Sequence, residues 1–297
     1  MSAGAIEHDR ARRTAIALAG VGIISFSAII VRASGVAPGT AAALRCAYAL
    51  PVLLPLALMT PRPARRAVTL SVAGGLVLGI NLVFWHHSID RIGAGLATVL
   101  ANTHVLFVLA GVLAMGGAVA RRSLYALPLP LIGVALIGGV GSGHRLDGLG
   151  LLLGLAAGAT YGMFQLCFDR AIRITGSGTW PLCLATASAA VSAFAAAIVG
   201  GEDLVPPLSG QAWMVLLALG PQTLGWLLIA RGVQRLRAFA VSLLLTIQPV
   251  LTTIWGAIIF GEDMRPLQAV GVALVLGGVL LARPARRPAD PAQPGPR

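Results

Sequence analysis

Long apolar runs separated by short polar segments fill the chain from residue 14 to residue 282. These runs are apolar throughout, whereas the strands of a membrane barrel alternate polar and apolar positions. A helix needs about 20 apolar residues to cross a hydrocarbon core of about 30 Å, and it satisfies its own backbone hydrogen bonds in lipid. The pattern therefore predicts an all-α membrane protein with ten transmembrane helices, at 14–31, 39–59, 68–87, 92–115, 124–140, 149–168, 179–200, 211–230, 238–260 and 267–282.

Two parts of the chain carry the same kind of segment, which indicates an internal duplication. The first copy ends with Gly-Val-Ala-Leu-Ile-Gly-Gly-Val at 133–140, and the second with Gly-Val-Ala-Leu-Val-Leu-Gly-Gly-Val at 271–279. Each copy would hold five helices, an odd number, so the second copy is expected to be inverted in the membrane relative to the first. The predicted divisions are a cytoplasmic tail at 1–13, five-helix repeats at 14–140 and 149–282, and a disordered cytoplasmic tail at 283–297.

The charges fit a membrane protein and indicate its orientation. Hydrophobic residues make up 57% of the chain and charged residues only 11%, so polar groups cannot cover its surface. If the N-terminus is cytoplasmic, 17 of the 22 basic residues, all of them arginine, fall in cytoplasmic segments, as the positive-inside rule requires. The net charge of +12 therefore reflects topology and not a nucleic-acid surface. We expect both termini in the cytoplasm.

Short motifs occur at defined places in the two halves. They are Leu44-Arg45 followed by Ala47-Tyr48-Ala49-Leu50-Pro51, the Gly-Ala-Gly-Leu-Ala of 93–97, Gln248-Pro249, Phe260-Gly261-Glu262 and the glycine-rich tenth helix. In these motifs the chain resembles the drug/metabolite transporter superfamily, and in particular the ten-helix EamA-type transporters. The resemblance covers residues 14–282 and implies a multi-pass transporter of the bacterial cytoplasmic (inner) membrane.

The first half departs from the family pattern in two places. His104 and Val105 stand where Gln248 and Pro249 stand in the second half, and residues 115–118 replace the Phe-Gly-Glu motif and lose its carboxylate. These changes imply that the halves are not equivalent. We therefore expect any helix break in the fourth helix to differ from the break in the ninth.

Arg45 is a charged residue inside a predicted helix, where charge is expensive. Its guanidinium needs a partner, and a substrate anion or a gating contact would supply one. The competing explanation is that Arg45 reaches the outer headgroups or caps a neighbouring helix.

His104 lies in the middle of the predicted fourth helix. An imidazole changes charge near neutral pH, so His104 is a candidate for coupling transport to a proton gradient. The competing explanation is a neutral histidine that makes one hydrogen bond to another helix.

Three amide–aromatic pairs are spaced i, i+4, so that each pair shares one face of its helix. An amide one turn from an aromatic ring offers a polar contact beside an apolar wall, which suits a small solute, although helix packing through amide hydrogen bonds competes with this explanation. The predicted substrate-binding residues are the pairs Asn81 and Trp85, Tyr161 and Gln165, and Gln222 and Trp226, together with Asn102, His104, Gln248 and Arg45.

The polar residues also narrow the chemistry. No predicted helix has Asp or Glu near its centre, which disfavours exchange of a proton for a cationic drug and favours a neutral, zwitterionic or anionic metabolite. No His-Glu-x-x-His, Gly-x-Ser-x-Gly or phosphate-binding loop is present, so we expect no catalytic site, metal or cofactor. We predict a secondary transporter that moves a small metabolite, such as an amino acid, by alternating access, with export as the expected direction.

The competing hypothesis is a membrane-embedded enzyme or structural subunit that reuses the helical bundle. An enzyme would be expected to gather His and carboxylates at one membrane face, and only His86, His87 and Asp90 come near that pattern. The expected partners are a small-molecule substrate and the lipid bilayer, with no nucleic acid. A homodimer is left open.

Overall fold

Helices account for the regular structure in the residues described by the computed structural model, which are 3–137, 147–233, 238–260 and 266–281. They are α1 (Ala3–Ser25), α2 (Ser27–Ser34), α3 (Pro38–Ala47), α4 (Leu50–Leu58), α5 (Arg65–Asn102), α6 (His104–Ala114), α7 (Arg121–Ala126), α8 (Pro128–Ile137), α9 (Gly148–Thr175), α10 (Thr179–Val199), α11 (Leu208–Leu217), a π-helical segment (Ala218–Gly225), α12 (Trp226–Gly232), α13 (Ala238–Leu245), α14 (Ile247–Phe260) and α15 (Pro266–Leu281). The predicted all-α class is confirmed for these residues.

Six helical stretches of the described chain are long and apolar enough to cross a membrane, by length and composition. They are Arg12–Ser34, Pro38–Leu58, Arg65–Ile92, Gly148–Thr175, Thr179–Val199 and Leu208–Gly232. Four shorter apolar helices, Leu100–Ala114, Leu124–Ile137, Phe239–Thr252 and Pro266–Leu281, occupy the places of the predicted fourth, fifth, ninth and tenth spans. The count of ten spans stays a prediction. The expected tail at 283–297 lies outside the described residues, whereas the expected tail at 1–13 is described from Ala3 onward as part of α1.

Helix α5 contains the predicted turn between the third and fourth spans, at 88–91, without losing its helical assignment. Its contacts with α9 nevertheless show that the chain reverses direction between Ile92 and Leu100. Up to Ile92, α5 packs antiparallel to α9, so that residues later in α5 contact residues earlier in α9. From Leu100 onward the two chain segments run parallel, and later residues contact later residues. The contacts are Gly74 with Cys167, Ser88 with Gly150, and Leu100 with Gly154, and the same direction continues in α6, where Phe107 contacts Gly162.

Two of the helix interruptions contain the same kind of side-chain hydrogen bond. At Thr103, between α5 and α6, the hydroxyl donates to the Leu100 carbonyl at 2.6 Å, and at Thr246, between α13 and α14, it donates to the Leu243 carbonyl at 2.7 Å. A threonine hydroxyl that bonds the preceding turn competes with the helical backbone bond and bends the helix. The two breaks are alike in this hydrogen bond and differ in the residues that follow, which include Val105 in α6 and Pro249 in α14. Pro249 lies in the first turn of α14, where a missing N–H costs little.

The two halves of the chain pack against each other through reciprocal helix pairs. Helix α1 packs on α12 and the π-helical segment, α9 packs on α5, α10 packs on α3, and α8 packs on α15. At the last of these crossings, a Cβ added to Gly133 would lie 2.5 Å from the Gly271 carbonyl oxygen, and one added to Gly271 would lie 2.5 Å from the Gly133 carbonyl oxygen. Each glycine thus permits the other helix to approach, as small residues do in membrane bundles.

The segment after α10 is joined to the beginning of α3 by a carboxylate. Glu202 Oε1 accepts a hydrogen bond from the Gly39 backbone N–H at 3.1 Å, and Oε2 accepts one from the Thr40 N–H at 2.7 Å. A negative charge at a helix N-terminus satisfies otherwise unpaired donors and interacts favourably with the helix dipole. The Thr40 hydroxyl adds a hydrogen bond to the Asp203 carbonyl at 2.9 Å.

Asp147 caps the N-terminus of α9 with its carboxylate at the protein surface. Its carboxylate accepts from the backbone N–H groups of Leu149 and Gly150 and forms an ion pair with Arg91 at 3.0 Å. The hydrogen bond from Arg91, followed by those from the backbone, holds the pKa of the Asp147 carboxyl below its usual value. The cap is therefore complete at neutral pH and is lost as the pH falls through that lowered pKa.

The Gly133–Gly271 crossing predicts opposite effects for one substitution at two positions of α15. Gly271→Ala should lower the melting temperature of the detergent-purified protein, because the added methyl meets backbone and overpacking costs about 1–3 kcal/mol. Gly277→Ala is the matched control, since a Cβ there would meet nothing within 4 Å, and alanine favours a helix by about 0.5–1 kcal/mol. Equal melting temperatures for the two variants would contradict the described crossing.

Candidate substrate cavity

A cavity of about 90 Å³ lies among the interrupted helices, between the two halves of the chain. Its walls come from α1 to α3, α5, α6, α9, the π-helical segment and α12 to α14. Nine of the ten predicted substrate-binding residues line it. The lining consists of Ile24, Ser27, Arg45, Leu78, Asn81, Leu82, Trp85, Thr98, Ala101, Asn102, His104, Tyr161, Gln222, Trp226, Leu245 and Gln248.

Arg45 lies on the cavity wall and is only 3% exposed. Its Nε donates to Gln222 Oε1 at 3.1 Å, and Gln222 Nε2 in turn donates to the Thr186 hydroxyl oxygen at 3.2 Å. This three-residue chain joins α3 to the π-helical segment and to α10. The explanation that Arg45 reaches the outer headgroups is therefore wrong, because its guanidinium is held in the protein interior by a neutral amide.

The π-helical segment brings Gln222 to Arg45. Pro221 lies inside this segment, where its missing N–H and its ring prevent the normal α-helical bond, so the backbone widens by one residue per turn. At the end of the segment, Gly225 packs closely against Gly20 of α1, since a Cβ on Gly20 would lie 2.6 Å from the Gly225 carbonyl oxygen. Sequence analysis missed this interruption, although Pro221 within an apolar run is the signal that marks it.

An aromatic cluster forms one side of the cavity. Tyr161 lies 4.8 Å from the His104 ring and 6.5 Å from the Trp226 ring, measured between ring centroids. Phe164 stands 5.3 Å from Trp226 in an edge-to-face arrangement, which is a preferred aromatic geometry. Together these rings give the cavity a rigid apolar wall.

His104 is buried beside the break at Thr103. Its Nδ1 pairs with the carbonyl of Ala101 at 3.2 Å, within its own helical turn, so this hydrogen bond is local. Its Nε2 makes no hydrogen bond of normal length within the described residues, although the Ser242 backbone lies near it. The ring therefore has one nitrogen held by its own backbone and one that faces the packed interior.

The amide side chains differ in what they contact. Asn81 Nδ2 donates to the Ala157 carbonyl at 2.7 Å and so links α5 to α9 while also lining the cavity. Asn102 Nδ2 donates within its own helix, to the Thr98 carbonyl at 2.8 Å. The helix-packing explanation thus holds for Asn81, alongside its position at the cavity. Gln248 contributes to the wall from α14.

Gln165 is buried but does not line the cavity, so its predicted position is wrong. It shares a helix face with Tyr161, one turn or about 5.4 Å away. At that level Phe164 and Phe168 pack against Trp226, at 5.3 Å and 5.6 Å. These aromatic contacts fill the interior at the level of α9 where Gln165 lies.

Ser27 and Thr98 line the cavity and were missed by sequence analysis. Ser27 follows the interruption at Phe26, whose ring stacks on Trp255 at 4.7 Å. Trp255 also donates from Nε1 to the Ser25 hydroxyl oxygen at 2.8 Å, which fixes the interruption from α14. Two hydroxyls in an apolar first helix were the available signal, but the sequence does not show which of them faces a cavity.

The EamA-like transporter family matches residues 148–283. An "Uncharacterized transporter" of Archaeoglobus fulgidus is 23% identical over 74% of this chain and 77% of its own length, and one of Clostridium kluyveri is 20% identical over 77% and 78%. A Pseudomonas fluorescens protein described as a "Probable 4-amino-4-deoxy-L-arabinose-phosphoundecaprenol flippase subunit ArnE" is 37% identical over 25% of this chain and 61% of its own length.

The match to the EamA-like transporter family lies in the second half of the chain and confirms the predicted resemblance to the family. The chain is also similar to uncharacterized transporters over about three quarters of its length. One solved crystal structure resembles this chain with a TM-score of 0.75 and a sequence identity of 20%. The superposition covers 91% of this chain and 98% of the chain in that structure. This last likeness supports the fold alone.

The contact between Arg45 and Gln222 predicts an effect on stability. Gln222→Leu should lower the melting temperature of the purified protein, because it leaves a buried guanidinium N–H without its acceptor, at a cost of about 1–3 kcal/mol. Adding Arg45→Leu to this variant should restore much of the loss, since the unpaired donor is then gone. If the decrease in melting temperature of the double variant equals the sum of the decreases of the two single variants, the contact does not stabilise the protein.

Proposed function

We propose that this chain is a secondary transporter that moves a small metabolite across the cytoplasmic membrane of a bacterium by alternating access. The observation that carries the proposal is the cavity between the halves, where helix interruptions, amides and one buried arginine meet. Transporters of this general type build their sites from discontinuous helices near the interface of two repeats. The transporter relatives support the same function.

The proposed architecture is ten spans in two inverted five-helix repeats, residues 14–140 and 149–282. The reciprocal helix pairs support it, because exchange of the two halves converts the contact of α1 with α12 into that of α9 with α5. The matching close approach of Gly133 and Gly271 lies where two related helices would cross on such an axis. The arginine distribution supports placement of both termini in the cytoplasm.

The proposed solute is neutral, zwitterionic or anionic, for example an amino acid or a related compound. Within the described residues, the cavity lining contains no carboxylate that could pair with a cation. Efflux is the proposed direction, in keeping with the resemblance to drug/metabolite transporters. The proposed binding residues are the nine predicted residues that line the cavity.

A solute flux measurement tests the proposal. Metabolite profiles of cells that overexpress the chain and of cells that lack it would supply candidate solutes, and counterflow into proteoliposomes would measure their transport. Ala101→Trp should abolish flux because the indole fills the cavity that Ala101 lines. Leu152→Trp is the matched control, since Leu152 is 61% exposed on the apolar outer surface of α9.

Two outcomes would count against transport through this cavity. Absence of flux for every candidate solute in wild-type proteoliposomes would favour a structural subunit or an enzyme. Unchanged flux in Ala101→Trp would place the pathway elsewhere in the bundle.

His104 provides a separate test of proton coupling. His104→Gln should retain transport of the identified solute while its rate loses dependence on pH, because glutamine can hydrogen-bond but cannot take up a proton. The measurement is the counterflow rate between about pH 5.5 and 8, the range in which an imidazole ordinarily titrates. A variant with the wild-type pH profile would assign His104 a packing role and leave the driving ion to be sought at another group.

A further inference from the structure

Arg45 is the one permanently charged residue in the described cavity lining. It is 3% exposed, and its side-chain partner is the neutral amide of Gln222. A buried charge without an opposite charge is costly, and proteins generally provide such a charge with a partner. In this cavity the described protein residues leave the positive charge uncompensated, which makes an anionic ligand the natural counter-charge.

The guanidinium also has donors to spare. Arginine carries five N–H donors in a planar fork. In the part of the chain that the structure describes, Arg45 makes one hydrogen bond, from Nε to Gln222 Oε1. The terminal amino groups are thus available to a ligand, and their fork matches the two oxygens of a carboxylate.

Gln222 determines how that fork is presented. Its amide nitrogen is bound to Thr186 at 3.2 Å, so its oxygen is held in position to receive Arg45 Nε. Anchoring of the guanidinium through Nε leaves its outer edge for a ligand. Gln222 is therefore a positioning residue for Arg45 as well as part of the cavity wall.

The remaining wall suits an apolar body better than a second charge. Trp85, Trp226, Leu78 and Leu82 contribute rings and aliphatic side chains. The described lining contains no Asp or Glu that could pair with an ammonium group. The cavity of about 90 Å³ is smaller than the roughly 150 Å³ cavity that accepts benzene, so the ligand it favours is small.

We propose that the transported solute is a small monoanion whose carboxylate, or a similar planar oxyanion, is bound by Arg45 while its apolar body packs against Trp85 and Trp226. This inference rests on the proposed transport function and narrows its solute to one charge class. An amine on the solute is not required, because the described wall offers it no carboxylate.

Matched pairs of ligands that differ in charge but hardly in shape test the proposal. Propionate with propionamide, and isobutyrate with isobutyramide, would be titrated by calorimetry into the full chain purified in detergent. Each carboxylate should bind roughly 10- to 100-fold more tightly than its amide, as expected for a charge-assisted hydrogen bond. Binding is the better readout for these probes, because the neutral form of a weak acid crosses lipid unaided.

Variants of one arginine inside and one outside the cavity complete the experiment. Arg45→Gln should remove the preference for the carboxylate, and Arg45→Lys should retain part of it, because a lysine keeps the charge but loses the fork. Arg91→Gln should leave the preference unchanged, since Arg91 is an exposed partner of Asp147. Without ligand, Arg45→Gln should melt no lower than the wild type, because it removes a buried uncompensated charge.

The proposal is overturned if the wild-type protein binds each carboxylate and its amide with equal affinity, or if it binds neither carboxylate. This test does not depend on whether the arginine variants fold. A carboxylate preference that survives in folded Arg45→Gln would overturn it as well. These results would leave the transport function standing, because that function is judged by solute flux and by Ala101→Trp. Loss of all flux with intact carboxylate binding would overturn the transport function instead.

Discussion

A helix in lipid can be interrupted only where protein or a polar cavity receives the freed backbone groups, and this constraint governs the whole molecule. The interruptions at Tyr48–Ala49 and at Leu127 have no neighbouring residue in the cavity wall. Four others occur at Phe26, at Thr103, at Thr246 and in the π-helical segment at Ala218–Gly225. The residues that flank or form each of them line the same cavity. The polar interior of the bundle therefore exists where the helices are broken, and the unbroken stretches of α9 and α10 provide the frame around it.

The charge in this interior follows from the same constraint. Arg45 is buried in the cavity wall, where Gln222 accepts a hydrogen bond from its Nε. A carboxylate partner from the protein would have neutralised the site and closed it to anions, whereas a neutral amide orients the guanidinium and leaves its charge for a ligand. The π-helical backbone around Pro221 is what brings that amide within reach.

Close helix approach supplies the stability that hydrophobic burial cannot provide between helices in lipid. The contacts of Gly133 with Gly271, and of Gly20 with Gly225, bring backbones from opposite halves together. The second of these contacts lies at the end of the π-helical segment that holds Gln222. Packing between the halves and the geometry of the cavity therefore depend on the same small residues, which gives movement between the halves a direct route to the cavity.

The sequence by itself determined the all-helical class, the apolar stretches, the family and most of the cavity wall, because hydropathy and i, i+4 spacing are local properties. It identified Arg45, Trp85, Tyr161 and Trp226 without any knowledge of packing. Only the tertiary structure decided that Arg45 pairs with Gln222, which is 177 residues away, and that Gln165 does not line the cavity. It also decided that the breaks between α5 and α6 and between α13 and α14 carry the same threonine hydrogen bond. These outcomes depend on how far each helix is rotated and how closely it approaches its neighbours, and those quantities arise from contacts between residues that are remote in the chain.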